Sequence, residues 1–369
     1  MGDGIRCMLM RGGTSKGAYF LETDLPADPA ERDRVLMAIM GSGDPRQIDG
    51  IGGAHPLTSK IAVVRPSQRP DADVEYLFLQ TGVERAFITD AQNCGNLLAG
   101  VGPFAIERGL IPPDPAQDRT EVRIFQRNDA SLATASVDTR GGQVRYHGTA
   151  TISGVPGTAA AIPLYFSGIA GSTCGALYPT GKMVEEVEGL TVTAVDNGMP
   201  TVVLLAAELG RRGDETPAEL EADEGLRRRL EHLRLAIGPR MGLGTDVTAL
   251  TVPKLTLLSA ARHGGTAATR TFIPHRCHDA IGVLGAVSVA TACLTPGTAA
   301  FELSGRPTPD RPVTLEHPTG ATEAVVELDL APSFSPSTSP GLPTSRRAGV
   351  LRTARKLFDG LVFPPELAG

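Results

Sequence analysis

The 369-residue chain contains no tryptophan, and its aromatic residues together make up only 4%. Its five cysteines (7, 94, 174, 277 and 293) form no CxxC pair and no zinc-like spacing with histidine. That excludes a sequence-visible disulfide framework or zinc ribbon, and an odd, unpatterned count suits a reducing cytoplasm. Positive charge is also scarce: the formal net charge is -6, which argues against general nucleic-acid binding. An anionic substrate would therefore need a local basic pocket. Long hydrophobic runs are missing too. The most apolar region, Ala280 to Leu294, is short and interrupted by Gly, Ser and Thr, unlike a membrane span. The first residues, Met1 to Cys7, carry no apolar signal segment. The expectation is a cytoplasmic protein with no membrane or nucleic-acid partner.

Glycine (43) and proline (29) are plentiful, as expected for many turns and short strands. Hydrophobic residues at 41% and charged residues at 21% are ordinary globular values, and the length calls for two domains. In the first half, strand-like runs fall at Gly17–Leu21, Lys60–Val64, Val74–Leu79, Val122–Phe125 and Gln143–His147. Asp28 to Met40 reads as a surface helix started by proline, and Cys94 to Glu107 as a buried one. Pro103 sits awkwardly inside the latter, since a mid-helix proline costs about 3 kcal/mol. The second half repeats the plan. Strands are expected at Leu190–Val195, Thr201–Leu205, Lys254–Leu258, Thr271–Ile273, Val313–Glu316 and Ala324–Leu330. An apolar helix is expected at Asp279–Cys293, a charged amphipathic one at Pro217–Ile237, and a Pro- and Ser-rich loop from Ala331 to Thr344. Two halves with one buried helix each suggest a pseudo-duplicated α+β protein with a cleft between them.

The chemistry-bearing segments are few. Gln92-Asn93-Cys94-Gly95-Asn96 leads directly into the apolar run Leu97, Leu98, Ala99, Val101, Phe104. A thiol there meets unpaired backbone N–H groups and the positive end of a helix dipole, which favour its thiolate. The same N–H groups can hold a carboxylate. The bland alternative, a small buried hydrophobe, is about as common. Arg11-Gly-Gly-Thr-Ser-Lys-Gly17 lacks the order of a Walker loop, but its turn is rich in N–H and hydroxyl donors suited to a carboxylate. Lys60 opens an apolar strand after Gln47-Ile-Asp-Gly-Ile-Gly-Gly53 and Leu57-Thr-Ser. Partial desolvation would make it a base, although a lysine snorkelling at a strand start is common and, for this segment taken alone, the better reading. His275-Arg276-Cys277-His278 precedes the second apolar helix, where Arg and His suit carboxylate binding. No third ligand lies nearby for a metal.

Together RGGTSKG (11–17), QIDGIGG (47–53), LTSK (57–60), QNCGN (92–96), DNGMP (196–200) and PHRCH (274–278) resemble the PrpF family over nearly the whole chain. Within it, NCGNLLAGVGPFA, CGALYPTG and HRCHDAIGVLGAVSVATAC resemble the 4-oxalomesaconate tautomerases of gallate and protocatechuate breakdown. The resemblance implies an α+β, diaminopimelate-epimerase-like fold: two pseudo-symmetric domains, each with strands wrapped around a central helix. The first would comprise residues 1–187 plus 348–369, the second 188–347, with the C-terminal strand returning to the first. The family's catalytic residues fall on Lys60 and Cys94. The implied activity is a cofactor-independent isomerase, with no metal, acting on a small unsaturated keto or enol tricarboxylate. Asn93, Gly95 and Asn96 would hold one carboxylate, with Thr14, Ser15, His275 and Arg276 for the others. Aconitate or methylitaconate isomerisation is the alternative within the family. A two-thiol amino-acid racemase, using Cys277, and a non-catalytic dicarboxylate-binding protein are the alternatives outside it. The expected partner is the substrate, with a homodimer as a candidate assembly.

Overall fold

The computed structural model describes residues 4–308, 311–330 and 341–365. Most of the Pro- and Ser-rich loop expected at 331–344 lies outside the described residues. The chain divides into two compact units, one of residues 1–164 and 352–369, the other of 165–351. Residues 165–187 and 348–351, expected in the first domain, thus group with the second unit.

The first unit begins with β1 (Ile5–Gly12) and β2 (Ser15–Leu21), followed by α1 (Pro29–Met40), β3 (Lys60–Pro66) and β4 (Val74–Thr81). Then come β5 (Ile88–Thr89), α2 (Gly95–Glu107), β6 (Arg119–Gln126), β7 (Ser131–Asp138) and β8 (Ala161–Phe166), whose last two residues fall in the second unit. The β1–β2 pair is antiparallel, β2–β3 parallel, β3–β4 antiparallel, β4–β6 parallel and β6–β7 antiparallel. Parallel neighbours need a crossover. The first crossover carries α1, which Asp28 caps by accepting from the Glu31 N–H at 2.9 Å and which ends on Gly41 at φ +67°. The second carries α2, whose residues Leu97 to Ile106 are all buried. This helix packs on β1, β2, β3, β4, β6 and β7. It runs straight through Pro103. Full burial of Leu97, Leu98, Val101 and Phe104, at about 2 kcal/mol each, outweighs a proline penalty of about 3 kcal/mol. Gln143 to His147, expected as a strand, is irregular; the chain there forms only an isolated bridge between Ala150 and Ala159.

The second unit holds β9 (Glu185–Val187), β10 (Leu190–Asp196), β11 (Pro200–Leu205), α3 (Pro217–Ala222), α4 (Glu224–Ile237), β12 (Lys254–Ser259) and β13 (Ala267–Phe272). It continues with α5 (Val283–Leu294), α6 (Ala299–Leu303), β14 (Val313–His317) and β15 (Gly320–Asp329). The pairing sense repeats: β10–β11 antiparallel, β11–β12 parallel, β12–β13 antiparallel, β13–β14 parallel, β14–β15 antiparallel. Here α3 and α4 occupy the first crossover and α5 with α6 the second. The single helix expected at 217–237 is two, because Asp223 leaves helical geometry to accept the Leu226 N–H at 2.8 Å and cap α4. The buried helix α5 packs on β10, β11, β14, β15 and α6. The last strand, β16 (Thr344–Val362), pairs with β15 through residues up to Val350 and with β1 through Ala354 to Val362. Among the described residues no helix is long and apolar enough to cross a membrane.

Candidate active site

The first unit gathers three of the expected segments at one end of α2. The β1–β2 turn is tied down by the Arg11 guanidinium, whose Nη1 donates to the carbonyls of Gly13 (2.8 Å) and Thr353 (3.0 Å). A Cβ on Gly12 would stand 2.6 Å from the Asn96 carbonyl oxygen, and one on Gly13 would run into the Asn96 side chain. Gly13 also adopts φ +52°. Only glycines let this turn lie directly on the first turn of α2. Asn96 Nδ2 then donates to Thr14 Oγ1 at 3.0 Å, joining turn and helix. Ser15 is buried, and its hydroxyl has no hydrogen-bond partner among the described residues.

Cys94 is the N-cap of α2, in extended geometry, and no side chain caps the first-turn N–H groups. A Cβ added at Gly95 would meet nothing within 4 Å, so open space lies beside the helix start. The thiol residue itself is 8% exposed. Two buried phenols lie beneath: Tyr76 donates to the Cys94 carbonyl at 3.4 Å and Tyr19 to the Leu97 carbonyl at 2.6 Å. Both are pushed above the usual tyrosine value, by burial first and then by their nearness to Cys94, so both remain neutral donors. Four cysteines, Cys7, Cys174, Cys277 and Cys293, are held as thiols. Burial pushes Cys7 and Cys174 up to about 12, and Cys277 and Cys293 up to about 11.

Asn93 differs from expectation. Its Oδ1 accepts the Cys94 N–H at 2.7 Å, and its Nδ2 donates to Gln126 (2.7 Å) and Asp129 (2.9 Å). Both amide hydrogens are engaged, so the side chain has no donor left for a carboxylate, while its oxygen orients the Cys94 backbone. Gly95 and Asn96 offer backbone N–H groups instead.

Lys60 opens β3 at 9% exposure. Its Nζ donates to Gln80 Oε1 at 2.8 Å and lies 4.9 Å from the centre of the Phe78 ring. Gln80 is fixed in turn: its Nε2 donates to the carbonyls of Pro56, Ser59 and Thr81 at 3.0–3.2 Å. Among the described residues Lys60 has no carboxylate partner, so a nearly buried ammonium is held by one neutral amide and a ring face. Gln47 supports the preceding residue by accepting from Ser59 Oγ at 2.6 Å. In register with Lys60 on β2 stands Gly17, where a Cβ would fall 2.7 Å from the Lys60 carbonyl and 2.8 Å from Leu97 Cδ2. The missing side chain lets strand start and helix start approach each other. Gln80 escaped the sequence reading. Its signal was a polar residue directly after the apolar Leu77–Leu79 stretch of β4, paired with Lys60.

The second-unit candidates fall elsewhere. His275 and Arg276 precede α5 by several residues, because 273–282 forms a loop with a bridge from Phe272 to Cys277 rather than a helix start. His275 Nδ1 lies 3.6 Å from Glu231 and Arg276 Nε 3.6 Å from Glu221, and Arg276 is 83% exposed. Both already face carboxylates of their own unit, which disfavours a second anion there. Cys277 belongs to the hydrophobic core with Leu226, Leu230 and Leu255, and its N–H donates to Glu221 at 2.9 Å. Among the described residues no group of three or more His, Cys, Asp or Glu is placed to hold a metal ion.

Comparison with known proteins converges on one group. A family model described as PrpF protein matches residues 3–365. The chain is 55% identical over 362 residues to a (4E)-oxalomesaconate Delta-isomerase of Novosphingobium sp. (strain KA1), covering 98% of both chains. It is also 55% identical over 359 residues to a 4-oxalomesaconate tautomerase of Pseudomonas putida, covering 97% of this chain and 95% of the other. Among solved structures it resembles a methylitaconate-delta-isomerase with a TM-score of 0.78 at 30% identity, covering 98% of this chain and 95% of that one.

Proposed function

Starting from its membership in the PrpF family, to which the chain belongs, we propose that it is a cofactor-independent isomerase of 4-oxalomesaconate in gallate or protocatechuate degradation. The observation that carries this reading is the pairing, within one unit, of an ammonium with no carboxylate partner among the described residues and a thiol at an open helix start. A carbon-bound proton flanked by a carbonyl and a double bond is acidic enough for an amine or a thiolate to remove. The electrons then spread as a dienolate onto carbonyl and carboxylate oxygens. Reprotonation at another atom of the allylic system moves the double bond. Lys60 and Cys94 perform the two transfers, and the first-turn N–H groups of Gly95 and Asn96 steady the developing oxyanion. Among the described residues no carboxylate compensates Lys60, so a polycarboxylate binds against it without displacing an internal ion pair. Ser15 and Thr14, on the turn that rests on α2, supply hydroxyl donors. We read the repeated strand order of the two units as diaminopimelate-epimerase-like.

The resemblance to a methylitaconate isomerase structure favours one second reading, the same allylic shift on methylitaconate or aconitate. A two-thiol racemase gains no support, since Cys277 is a core residue. Proton NMR of the purified protein in deuterated water, with 4-oxalomesaconate, cis- and trans-aconitate and methylitaconate, tests the choice. Deuterium should enter 4-oxalomesaconate at an allylic position as the double bond moves. No exchange into any of the four would overturn the reading.

A further inference from the structure

The second unit repeats the strand-and-helix scheme of the first, so each part of the Lys60–Cys94 arrangement has a counterpart in it. The β10–β11 turn, Asp196 to Pro200, answers the Gly12–Ser15 turn. It too is fastened to its helix: the Asn197 N–H donates to Ser288 Oγ at 3.1 Å and its Nδ2 to Thr291 Oγ1 at 2.9 Å. It too leaves buried polar atoms without partners, Asn197 Oδ1 and Asp196 Oδ1, as the first leaves Ser15 Oγ. Lys60 opens β3 beside β2, and Lys254 opens β12 beside β11, both in parallel pairs. At the N-cap of the buried helix, where the first unit has Cys94, the second has Gly282. A Cβ built on Gly282 would lie 4.0 Å from Lys254 Nζ, so the ammonium stands over the start of α5.

That placement is electrostatically unfavourable on its own terms. The N-terminus of a helix carries positive partial charge, and a cation is misplaced there. Lys254 is half-buried, and among the described residues its ammonium makes no ion pair and no hydrogen bond. Burial lowers its proton affinity below the usual lysine range. No side chain caps the first turn of α5, so its N–H groups are likewise unanswered. Two positive groups meet with nothing negative between them, and a single carboxylate would satisfy both.

We propose that Lys254, with the first-turn N–H groups of α5, is a carboxylate-binding site for polycarboxylates of the proposed substrate's class. It is the second unit's version of the Lys60 site, with the thiol replaced by glycine so that it binds an anion and transfers no proton. The substrate class rests on the isomerase reading; the site rests on the local geometry.

Calorimetric titration with tricarballylate, a saturated tricarboxylate that cannot react, tests it on the full chain. Lys254→Met should weaken binding about tenfold or more, the scale of one lost charge-assisted hydrogen bond, while Lys254→Arg stays within about threefold. Ligand-free Lys254→Met should melt at the same or a higher temperature than the parent, because the misplaced charge is gone; a merely structural lysine would give a lower one. Kinetics with 4-oxalomesaconate should show the Met variant raising KM more than it lowers kcat. Unchanged tricarballylate affinity in Lys254→Met, or no binding by the parent, overturns the site. If binding depends on Lys254 but the parent never turns over 4-oxalomesaconate, the isomerase reading falls and the site stands.

Discussion

The two units have the same sequence of strand pairings, the same two crossovers and one buried helix each, yet they differ at the residues that face the helix start. In the first unit the N-cap is cysteine, the lysine leans on an amide and a ring, and the position paired with the lysine is Gly17. In the second the N-cap is glycine, the lysine has no partner among the described residues, and the paired position is Thr201. The scaffold is therefore indifferent to chemistry. What distinguishes the proposed reacting end from the proposed binding end is a handful of side chains at fixed places in a repeated frame, and the comparison can be broken by exchanging or removing them.

The largest effect should come from the proposed acid–base pair. Lys60→Met and Cys94→Ala should each lower turnover about 100-fold to 10,000-fold with the melting temperature little changed, whereas Cys277→Ala should stay within a fewfold. Lys60→Arg should still bind tricarboxylate but fail to exchange its allylic proton, because guanidinium does not release a proton at working pH. Steady-state rates and deuterium exchange measure both. Equal losses at Cys94 and Cys277 would mean that the units share the proton chemistry after all.

Next is the position paired with the lysine. Gly17→Val sets a Cβ against the Lys60 carbonyl, a backbone atom that cannot swing aside, and should cost about 1–3 kcal/mol in denaturant unfolding along with most activity. Thr201 already fills the equivalent place, donating to the Met199 carbonyl at 2.9 Å, so Thr201→Val should leave turnover within a fewfold. A silent Gly17→Val would remove close approach as the reason for glycine.

The smallest effect sharpens the contrast through pH. In the second unit, burial opposes the charge of Glu316, yet the N–H groups of Arg262, Gly265 and His263 hold its carboxyl below the usual range. A carboxyl depressed on folding contributes stability above its unfolded pKa and loses it as pH falls through the folded one. Glu316→Gln should therefore cost about 2 kcal/mol near neutrality, and the gap to the parent should close on acidification below about pH 4. Thermal melts from pH 3 to 7 follow this. A pH-independent gap would assign the loss to packing.

Local patterns carried much of this architecture. Asp28-Pro29 and the apolar spacing after it mark α1, and the NCGN turn before an apolar run marks α2 with Cys94 at its cap. Lys60 at the head of a β-branched run marks β3. What escaped was set by distant partners. The Asn93 side chain is held by residues 33 and 36 positions away, which no window reveals. The first strand, Ile5–Gly12, went unrecognised because Arg6 and Arg11 interrupt its apolar pattern, and its second neighbour, β16, lies at the other end of the sequence. α5 begins at Val283 rather than Asp279 because the bridge at Cys277 commits the preceding chain to the strand layer. Lys254 was seen only as the first residue of a strand. The parallel with Lys60, a lysine heading an apolar run, was visible but acquires meaning only from the repeat.

The strand β16 has a consequence for how the protein is made. The second unit is one continuous stretch of chain, while the first takes its strand beside β1 from residues 354–362. During synthesis the ribosome releases the first 164 residues long before that strand exists. Until it arrives, one edge of β1 stays unpaired, a template for mispairing with other nascent chains. The unit that carries Lys60 and Cys94 is thus begun first and completed last: a premature stop at residue 352 or 353 leaves the second unit fully translated and denies the first this strand.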